Sequence, residues 1–248
     1  NTSTALEWTL FQMLAFHSLM IALGAPEESL DRKRSWLLCG LFSGLAMGTK
    51  YPAWILPLPI LSAIFFARTN PTPSARPKLR EASLTLAVAF LVISPWSAKN
   101  WAHYKNPVFP FLEEKFAAEA SREIDLNGLN GDASARDLRS TFTTWKGFKD
   151  YCLHPWTSST SMLIPERDYL GPLFLALLPT LFLFRRRHFP SAVLAVLCAG
   201  AWIALSLMTT NQRFFIPNLA ALCLLLAYAL LRVPWPGLRR GAGRPPGR

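Results

Sequence analysis

The chain carries the stretch SPWSAKNWAHYKNPVFP at residues 94–110, directly after its fourth long apolar run. Pro95 and Trp96 predict the end of a membrane helix, because proline removes a helix hydrogen bond and tryptophan favours the boundary between lipid and water. A cation and an amide, Lys99 and Asn100, follow at once. The segment at residues 106–110 then predicts a rigid turn that leads the chain along the membrane surface.

The composition is that of a membrane protein. Hydrophobic residues make up 51% of the chain, charged residues only 17%, and the mean hydropathy is +0.23. Several apolar stretches approach the roughly 20 residues that a helix needs to cross a bilayer. A soluble helical protein of this length would rarely contain so many, so we predict an all-α, polytopic membrane helix bundle.

Hydropathy and turn residues predict seven membrane helices: Thr4–Leu23, Trp36–Thr49, Pro52–Ala67, Ala82–Trp96, Tyr169–Phe184, Pro190–Met208 and Phe214–Leu231. The second and third are short and could form one kinked span. That arrangement would leave Lys50 in mid-bilayer, at a cost of about 2.5–3.5 kcal/mol. We therefore expect two helices joined by a tight turn at residues 49–52, with Pro52 at the start of the third.

The basic residues predict the orientation of the bundle. The formal charge is +11 and the pI is about 10.0, which in a soluble protein would suggest nucleic-acid binding. Here the cations cluster between apolar runs, at residues 32–34, 68–80, 185–187 and 232–248. All four clusters fall on one side of a seven-helix alternation, and the positive-inside rule makes that side cytoplasmic. This excludes nucleic acid as a partner.

The same alternation divides the chain into four parts. Residues 1–96 hold membrane helices one to four, and residues 97–168 form a periplasmic segment. Residues 169–231 hold helices five to seven, and residues 232–248 form a disordered, basic cytoplasmic tail. Because the chain starts at Asn1 rather than methionine, we expect it to be a fragment that lacks its upstream part.

The periplasmic segment predicts one amphipathic helix. Residues 134–137 have the pattern of a helix N-terminus, and apolar side chains then recur near one face, at Leu138, Phe142, Trp145 and Cys152. Such a helix would rest on the membrane or on the bundle. A small helical lid explains the same pattern equally well.

The remaining patterns point to packing rather than chemistry. Gly40, Gly44 and Gly48 recur every fourth residue, a spacing that lets helices approach closely in lipid, and we assign them to packing. Three of the four cysteines lie in apolar runs, so no disulfide is expected. The sequence contains no metal-ligand spacing and no phosphate-binding glycine loop. No cofactor is evident from it, and it leaves open whether a divalent metal is required.

Polar groups on the extracytoplasmic side form the candidate site. They occupy three separate helix ends: Lys50 and Tyr51, Lys99 and Asn100, and Gln212 and Arg213. Cations at this level can bind a phosphate group. The alternative is that they only meet lipid headgroups, as interfacial lysine and arginine often do.

Three pieces of the chain resemble the GT-C superfamily of membrane glycosyltransferases, in its aminoarabinose transferase-like and protein mannosyltransferase-like members. Residues 40–51, GLFSGLAMGTKY, resemble the family's "GL..GLA..TKY" helix and turn. Residues 95–110 resemble "PW..RN......GNPVYPF", and residues 212–217, QRFFIP, resemble the "..RYLLP" start of a late helix. Together they order residues 36–231, so the chain is similar to the C-terminal part of such an enzyme.

The resemblance implies roles for these residues. The six polar residues would hold the phosphate of a polyprenyl-phosphate-linked sugar, which enters from membrane lipid, and the sugar would be transferred with inversion. Lys99 stands where the family usually has arginine, which loses bidentate geometry. The family's catalytic carboxylate lies in a first periplasmic loop upstream of this chain. We therefore expect this chain to hold the donor-side scaffold without the catalytic carboxylate, and the catalytic residue stays unknown. Glu7, the one acid in the first helix, is a candidate base, although it does not align clearly with the family's acid.

The expected function is therefore periplasmic transfer of a sugar to an acceptor by an enzyme of the bacterial inner membrane, with a cytoplasmic C-terminus. One alternative is a transporter of lipid-linked substrates, which should show inverted repeats and mid-membrane ionisable residues. The other is a non-catalytic subunit of a larger assembly, with membrane-protein partners. The sugar, the acceptor and the carrier length stay open.

Overall fold

The computed structural model describes residues 3–69, 79–109, 143–160, 189–208 and 212–232, together with Ala176 and Pro179. Within these ranges all the regular secondary structure is helical. Seven α-helices follow one another: α1 Ser3–Gly24, α2 Leu30–Thr49, α3 Pro57–Thr69, α4 Leu79–Tyr104, α5 Trp145–Thr160, α6 Phe189–Met208 and α7 Ile216–Arg232. Short 3-10 helices precede α3 and α7, at Tyr51–Ile55 and Gln212–Phe215.

Among the described residues, four stretches are long and apolar enough to cross a membrane: Thr4–Gly24, Tyr51–Arg68, Leu79–Tyr104 and Phe189–Leu207. Ile216–Ala229 is apolar but shorter. The predicted all-α membrane bundle is thereby confirmed. Apart from Ala176, Pro179 and Arg232, the predicted helix Tyr169–Phe184 and the basic tail lie outside the described residues, as do Leu138 and Phe142 of the expected amphipathic helix.

The core of the bundle lies between α1, α2, α3, α6 and α7. In α1 the buried residues recur every three or four positions, at Trp8, Gln12, Phe16, Leu19 and Leu23. The opposite side of the same helix exposes Leu6, Leu10 and Ile21. Apolar side chains that point away from the core suit a lipid environment. In α4 only 22% of the apolar window is buried, so this helix lies at the edge of the bundle with most of its surface toward lipid.

Helix α2 begins six residues earlier than predicted, because Ser29 caps it. The Ser29 side chain accepts a hydrogen bond from the Arg32 backbone N–H at 3.1 Å. The basic cluster at residues 32–34 therefore lies inside the helix, and the prediction that it lies between helices is wrong. Arg32 is fully buried and forms an ion pair with Glu81 of α4, whereas Lys33 and Arg34 are exposed.

Small residues let α2 and α4 approach closely. A Cβ atom added at Gly40 would lie 2.5 Å from the Thr85 carbonyl oxygen, and one added at Gly44 would lie 2.6 Å from the Ala89 carbonyl oxygen. Both distances are too short for any side chain. The predicted packing role is confirmed for these two glycines. At Gly48 an added Cβ would meet only Ile93, at 3.7 Å, and this glycine lines the cavity described below.

The helix α4 does not stop at Pro95 and Trp96, and that prediction is wrong. It continues through Pro95 to Tyr104. Proline has no N–H, so the Leu91 carbonyl loses its usual helix partner. The Ser94 hydroxyl donates to that same carbonyl at 2.7 Å. This bond replaces the missing one, which explains how the helix tolerates proline within an apolar span.

Candidate functional site

A cavity of about 460 Å³ opens at one end of the bundle. It brings together helix ends that are far apart in the chain: the start of α1, the end of α2 with the turn after it, the last third of α4, and the 3-10 helix before α7. The lining residues are Thr4, Met47, Gly48, Thr49, Lys50, Tyr51, Pro52, Trp96 and Phe214. All three sequence pieces that carried the family resemblance contribute to this lining.

The turn that presents Lys50 is built by local bonds. Helix α2 ends at Thr49, and Lys50 is extended, with φ −152° and ψ 143°. Pro52 then stands in the first turn of the 3-10 helix, where its missing N–H costs nothing. The Trp54 indole N–H donates to the Met47 carbonyl at 3.1 Å, which satisfies one of the free carbonyls at the end of α2. The predicted tight turn at residues 49–52 is thus confirmed.

The Lys50 ammonium lies inside the cavity over an aromatic ring. Its Nζ is 5.6 Å from the centre of the Phe214 ring, a cation–π distance. Phe214 in turn contacts Trp8 of the core, with ring centres 6.5 Å apart. Lys50 is half-buried, and among the described residues no carboxylate pairs with it. The cavity therefore holds a positive charge that the described protein does not neutralise.

A second cation lies beside the same cavity. The Lys99 Nζ is 4.8 Å from the centre of the Trp96 ring, and Trp96 is one of the lining residues. Lys99 itself is exposed, does not line the cavity, and also lacks a carboxylate partner in the described part of the chain. Trp96 thus separates Lys99 from the interior of the cavity.

Asn100 fixes the turn that follows α4. It is 2% exposed, and its amide donates to the Phe109 carbonyl at 3.4 Å. The Asn106 side chain accepts a hydrogen bond from the Val108 N–H at 3.0 Å, and the rings of Tyr104 and Phe109 stack with centres 4.2 Å apart. These contacts account for the rigid turn expected at residues 106–110, of which Pro110 lies outside the described residues. Asn100 does not reach the cavity.

Lys105 joins α4 to this turn with a positive φ of 53°. Only glycine adopts that conformation without a steric cost. Lys105 therefore carries a steric cost that a glycine at this position would avoid.

The other candidates are placed differently. Gln212 and Arg213 form the 3-10 helix together with Phe214, but their side chains lie outside what the structure describes. Glu7 is exposed and does not line the cavity. Thr4, Trp96 and Phe214 line the cavity but were not among the site residues predicted from the sequence. Trp96 and Phe214 belong to the quoted motifs, but they carry no charge, so they do not stand out as phosphate ligands.

The lining can bind an anion that carries an apolar group. One ammonium supplies the charge, and Trp96, Phe214, Met47 and Pro52 supply apolar surface. None of these nine lining residues is a carboxylate or a histidine. Among the described residues, no group of three or more His, Cys, Asp or Glu side chains could hold a metal ion.

Residues 4–98 match the family model described as dolichyl-phosphate-mannose-protein mannosyltransferase. This part of the chain includes all the cavity-lining residues except Phe214. The match supports the expected similarity to GT-C-type membrane glycosyltransferases over this part of the chain. No curated protein and no solved structure matches the chain significantly.

Proposed function

We propose that this chain forms the donor-binding part of an integral-membrane glycosyltransferase, and that the cavity binds the phosphate of a polyprenyl-phosphate-linked sugar. The observation that carries the proposal is the half-buried Lys50 ammonium, which has no carboxylate partner among the described residues and lies in an otherwise largely apolar cavity. A phosphate with an isoprenoid tail has both a negative charge, which the Lys50 ammonium can bind, and an apolar chain, which the apolar lining can contact. The volume of about 460 Å³ is in the range of small-molecule sites.

The position of Lys50 suits a role in sugar transfer. When the bond between the sugar and the carrier phosphate breaks, negative charge builds on the phosphate. An ammonium in a partly dry cavity stabilises that charge more than one in water does. Lys99 lies where it can attract the same phosphate from the membrane surface, and Arg213 follows in the 3-10 helix next to Phe214. We assign the donor side of the reaction to this chain.

The nine lining residues that the structure describes include no carboxylate, which favours a second candidate function, a non-catalytic subunit that binds a lipid-linked sugar without transferring it. Attack on the sugar requires that the acceptor lose a proton, and a carboxylate is the base that the family resemblance leads us to expect. Measuring the rate of sugar transfer distinguishes the two candidate functions. Both the enzyme and the non-catalytic subunit would bind the donor through Lys50, but only for the enzyme would replacing Lys50 lower a rate of sugar transfer.

Replacing Lys50 by alanine is expected to lower the transfer rate tenfold to a hundredfold. A charge-assisted contact to phosphate contributes about 1.5–3 kcal/mol, and each 1.4 kcal/mol corresponds to about tenfold in rate. Arg213→Ala should behave in the same way, and Arg213→Lys should recover part of the loss because the charge survives. Transfer from a polyprenyl-phosphate-linked sugar is measured in membranes that contain the intact protein at matched expression.

Lys33→Ala is the matched control, since Lys33 is an exposed lysine of α2 near the helix end opposite to the cavity. It should retain the wild-type rate. Binding of polyprenyl phosphate to the same variants is measured in parallel. Loss of binding without any transfer activity in the wild type would identify the non-catalytic subunit. Wild-type binding and rate in both alanine variants would mean that these cations meet only lipid headgroups.

The proposed orientation places the cavity on the extracytoplasmic side of the bacterial inner membrane. It rests on the basic clusters, which the alternation of helices puts on the opposite side. We therefore expect a reporter fused after Arg248 to be active in the cytoplasm. We also expect the new thiol of an Asp150→Cys variant, in α5, to react with a membrane-impermeant thiol reagent in intact cells. A periplasmic reporter signal after Arg248 would reverse the orientation and contradict the proposed site of transfer.

A further inference from the structure

Helix α5 is attached to the bundle by one face. His154 is 7% exposed and packs against Phe215, with ring centres 5.4 Å apart. The Tyr151 hydroxyl donates to the Ile203 carbonyl of α6 at 3.5 Å. Phe215 also packs against Trp202, at 4.6 Å between ring centres. These contacts join α5 to the end of α6 and to the 3-10 helix before α7.

The opposite face of α5 is apolar and exposed. Trp145 is 77% exposed, Phe148 43% and Trp156 61%, and Cys152 is exposed between them. At about 100° per residue these four positions lie within about 80° of one another and are centred nearly opposite His154. An isolated soluble protein rarely leaves two tryptophans and a phenylalanine together in water.

The attachment points place α5 at the level of the membrane boundary. Ile203 lies five residues before the end of α6, which corresponds to about 8 Å along the helix axis. Phe215 ends the 3-10 helix directly before α7. Tryptophan is enriched at this depth, where its ring meets both lipid and water. Lys146 and Lys149 are exposed beside the apolar face, where lipid phosphates would meet them.

The size of the face argues against a second copy of the chain as its cover. The exposed parts of the three aromatic side chains offer on the order of 400 Å², from about 150–250 Å² for a full aromatic side chain. A standard protein interface needs roughly 800 Å² from each partner. A lipid surface requires no such minimum area, since an amphipathic helix lies in the interface by burying its own apolar face.

We propose that α5 lies in the bilayer interface, with Trp145, Phe148, Cys152 and Trp156 in the lipid and His154 toward the bundle. The helix is then a membrane anchor for the 3-10 helix that carries Phe214 into the cavity. The proposal depends on the exposed face and its depth, and it holds whether or not the cavity binds a sugar donor.

Cys152 makes the proposal directly testable. Cys39 and Cys198 are buried, so Cys223→Ala leaves Cys152 as the exposed cysteine of the chain. A nitroxide attached there is measured in the intact protein, in vesicles of phosphatidylethanolamine and phosphatidylglycerol. Its collision rates with oxygen, which concentrates in lipid, and with a water-soluble nickel chelate report its environment. The matched position is Asp150, which is exposed and about 160° around the helix from Cys152.

We expect oxygen collisions to dominate at Cys152. In a Cys152→Ser, Asp150→Cys variant of the same background the order should reverse, with nickel collisions dominating. Nickel access at Cys152 equal to that at position 150 would mean that the face lies in water. Protection of Cys152 from both reagents would mean that protein covers it, either another segment of this chain or a second copy. Either of these two results overturns the proposal.

Discussion

Replacing Arg32 by alanine is expected to lower the free energy of unfolding by about 3–5 kcal/mol, because it removes the fully buried partner of the Glu81 carboxylate, which is itself partly buried. The Arg32 Nε donates to the Glu81 Oε1 at 2.9 Å, and its Nη2 donates to Oε2 at 3.0 Å. Nη1 also donates to the Ala25 carbonyl at 3.2 Å. The side chain of Arg32 is 1% exposed and that of Glu81 is 18% exposed, so water replaces little of what is lost.

Chemical unfolding in mild detergent, followed by tryptophan fluorescence, measures this loss. Arg34→Ala is the control, since Arg34 is exposed in the same turn and its replacement should change the free energy by about 0.5 kcal/mol or less. Replacing both partners by apolar residues of similar size, Arg32→Met with Glu81→Leu, should recover most of the stability. A double variant as unstable as Arg32→Ala would show that the pair is not the cause.

Replacing Gly44 by alanine is expected to lower stability by about 1–3 kcal/mol, because α2 and α4 must move apart to make room. The added methyl group would lie 2.6 Å from both the Ala89 carbonyl oxygen and the Val92 Cβ. One of these contacts is to backbone and cannot rotate away. The gain of about 0.5–1 kcal/mol that alanine brings to a helix is too small to compensate.

Gly48→Ala is the matched control for stability. It lies one helical turn further along α2, and its new methyl group would meet only the Ile93 Cδ1, at 3.7 Å. We expect this variant to be as stable as the wild type or slightly more stable. Equal stability of the Gly44 and Gly48 variants would show that α2 and α4 do not pack as closely as described. Because α2 leads to Lys50 and α4 carries Trp96, Gly44→Ala should also weaken the proposed binding of the lipid-linked donor.

Much of the bundle follows from local patterns in the sequence. Apolar runs of sufficient length predict the membrane helices, and Pro52 predicts the break after α2, because these features act within one or two helical turns. The spacing of Gly40 and Gly44 predicts a close helix contact for the same reason, although it does not name the partner helix. The structure supplies α4 as that partner.

Local patterns are misleading where a neighbour compensates for them. Pro95 predicts a helix end, but the Ser94 hydroxyl takes over the Leu91 carbonyl and the helix continues. Arg32 resembles a free cation of a cytoplasmic cluster, but Glu81 lies 49 residues further on and neutralises it. In both cases the hydrogen bonds of one polar side chain decide the outcome, and hydropathy alone does not report them.

The cavity is a property of the tertiary structure alone. The sequence marks Lys50, Lys99 and Arg213 as cations at three helix ends, yet nothing in their spacing brings Lys50 to Phe214, 164 residues away, at 5.6 Å. That contact requires α1 to pack between α2 and α7, which depends on the buried side chains of Trp8, Phe16 and Leu19. The side chains that line the site are set by how the apolar faces of the helices match, since close packing of a core is a collective property of residues distant in sequence.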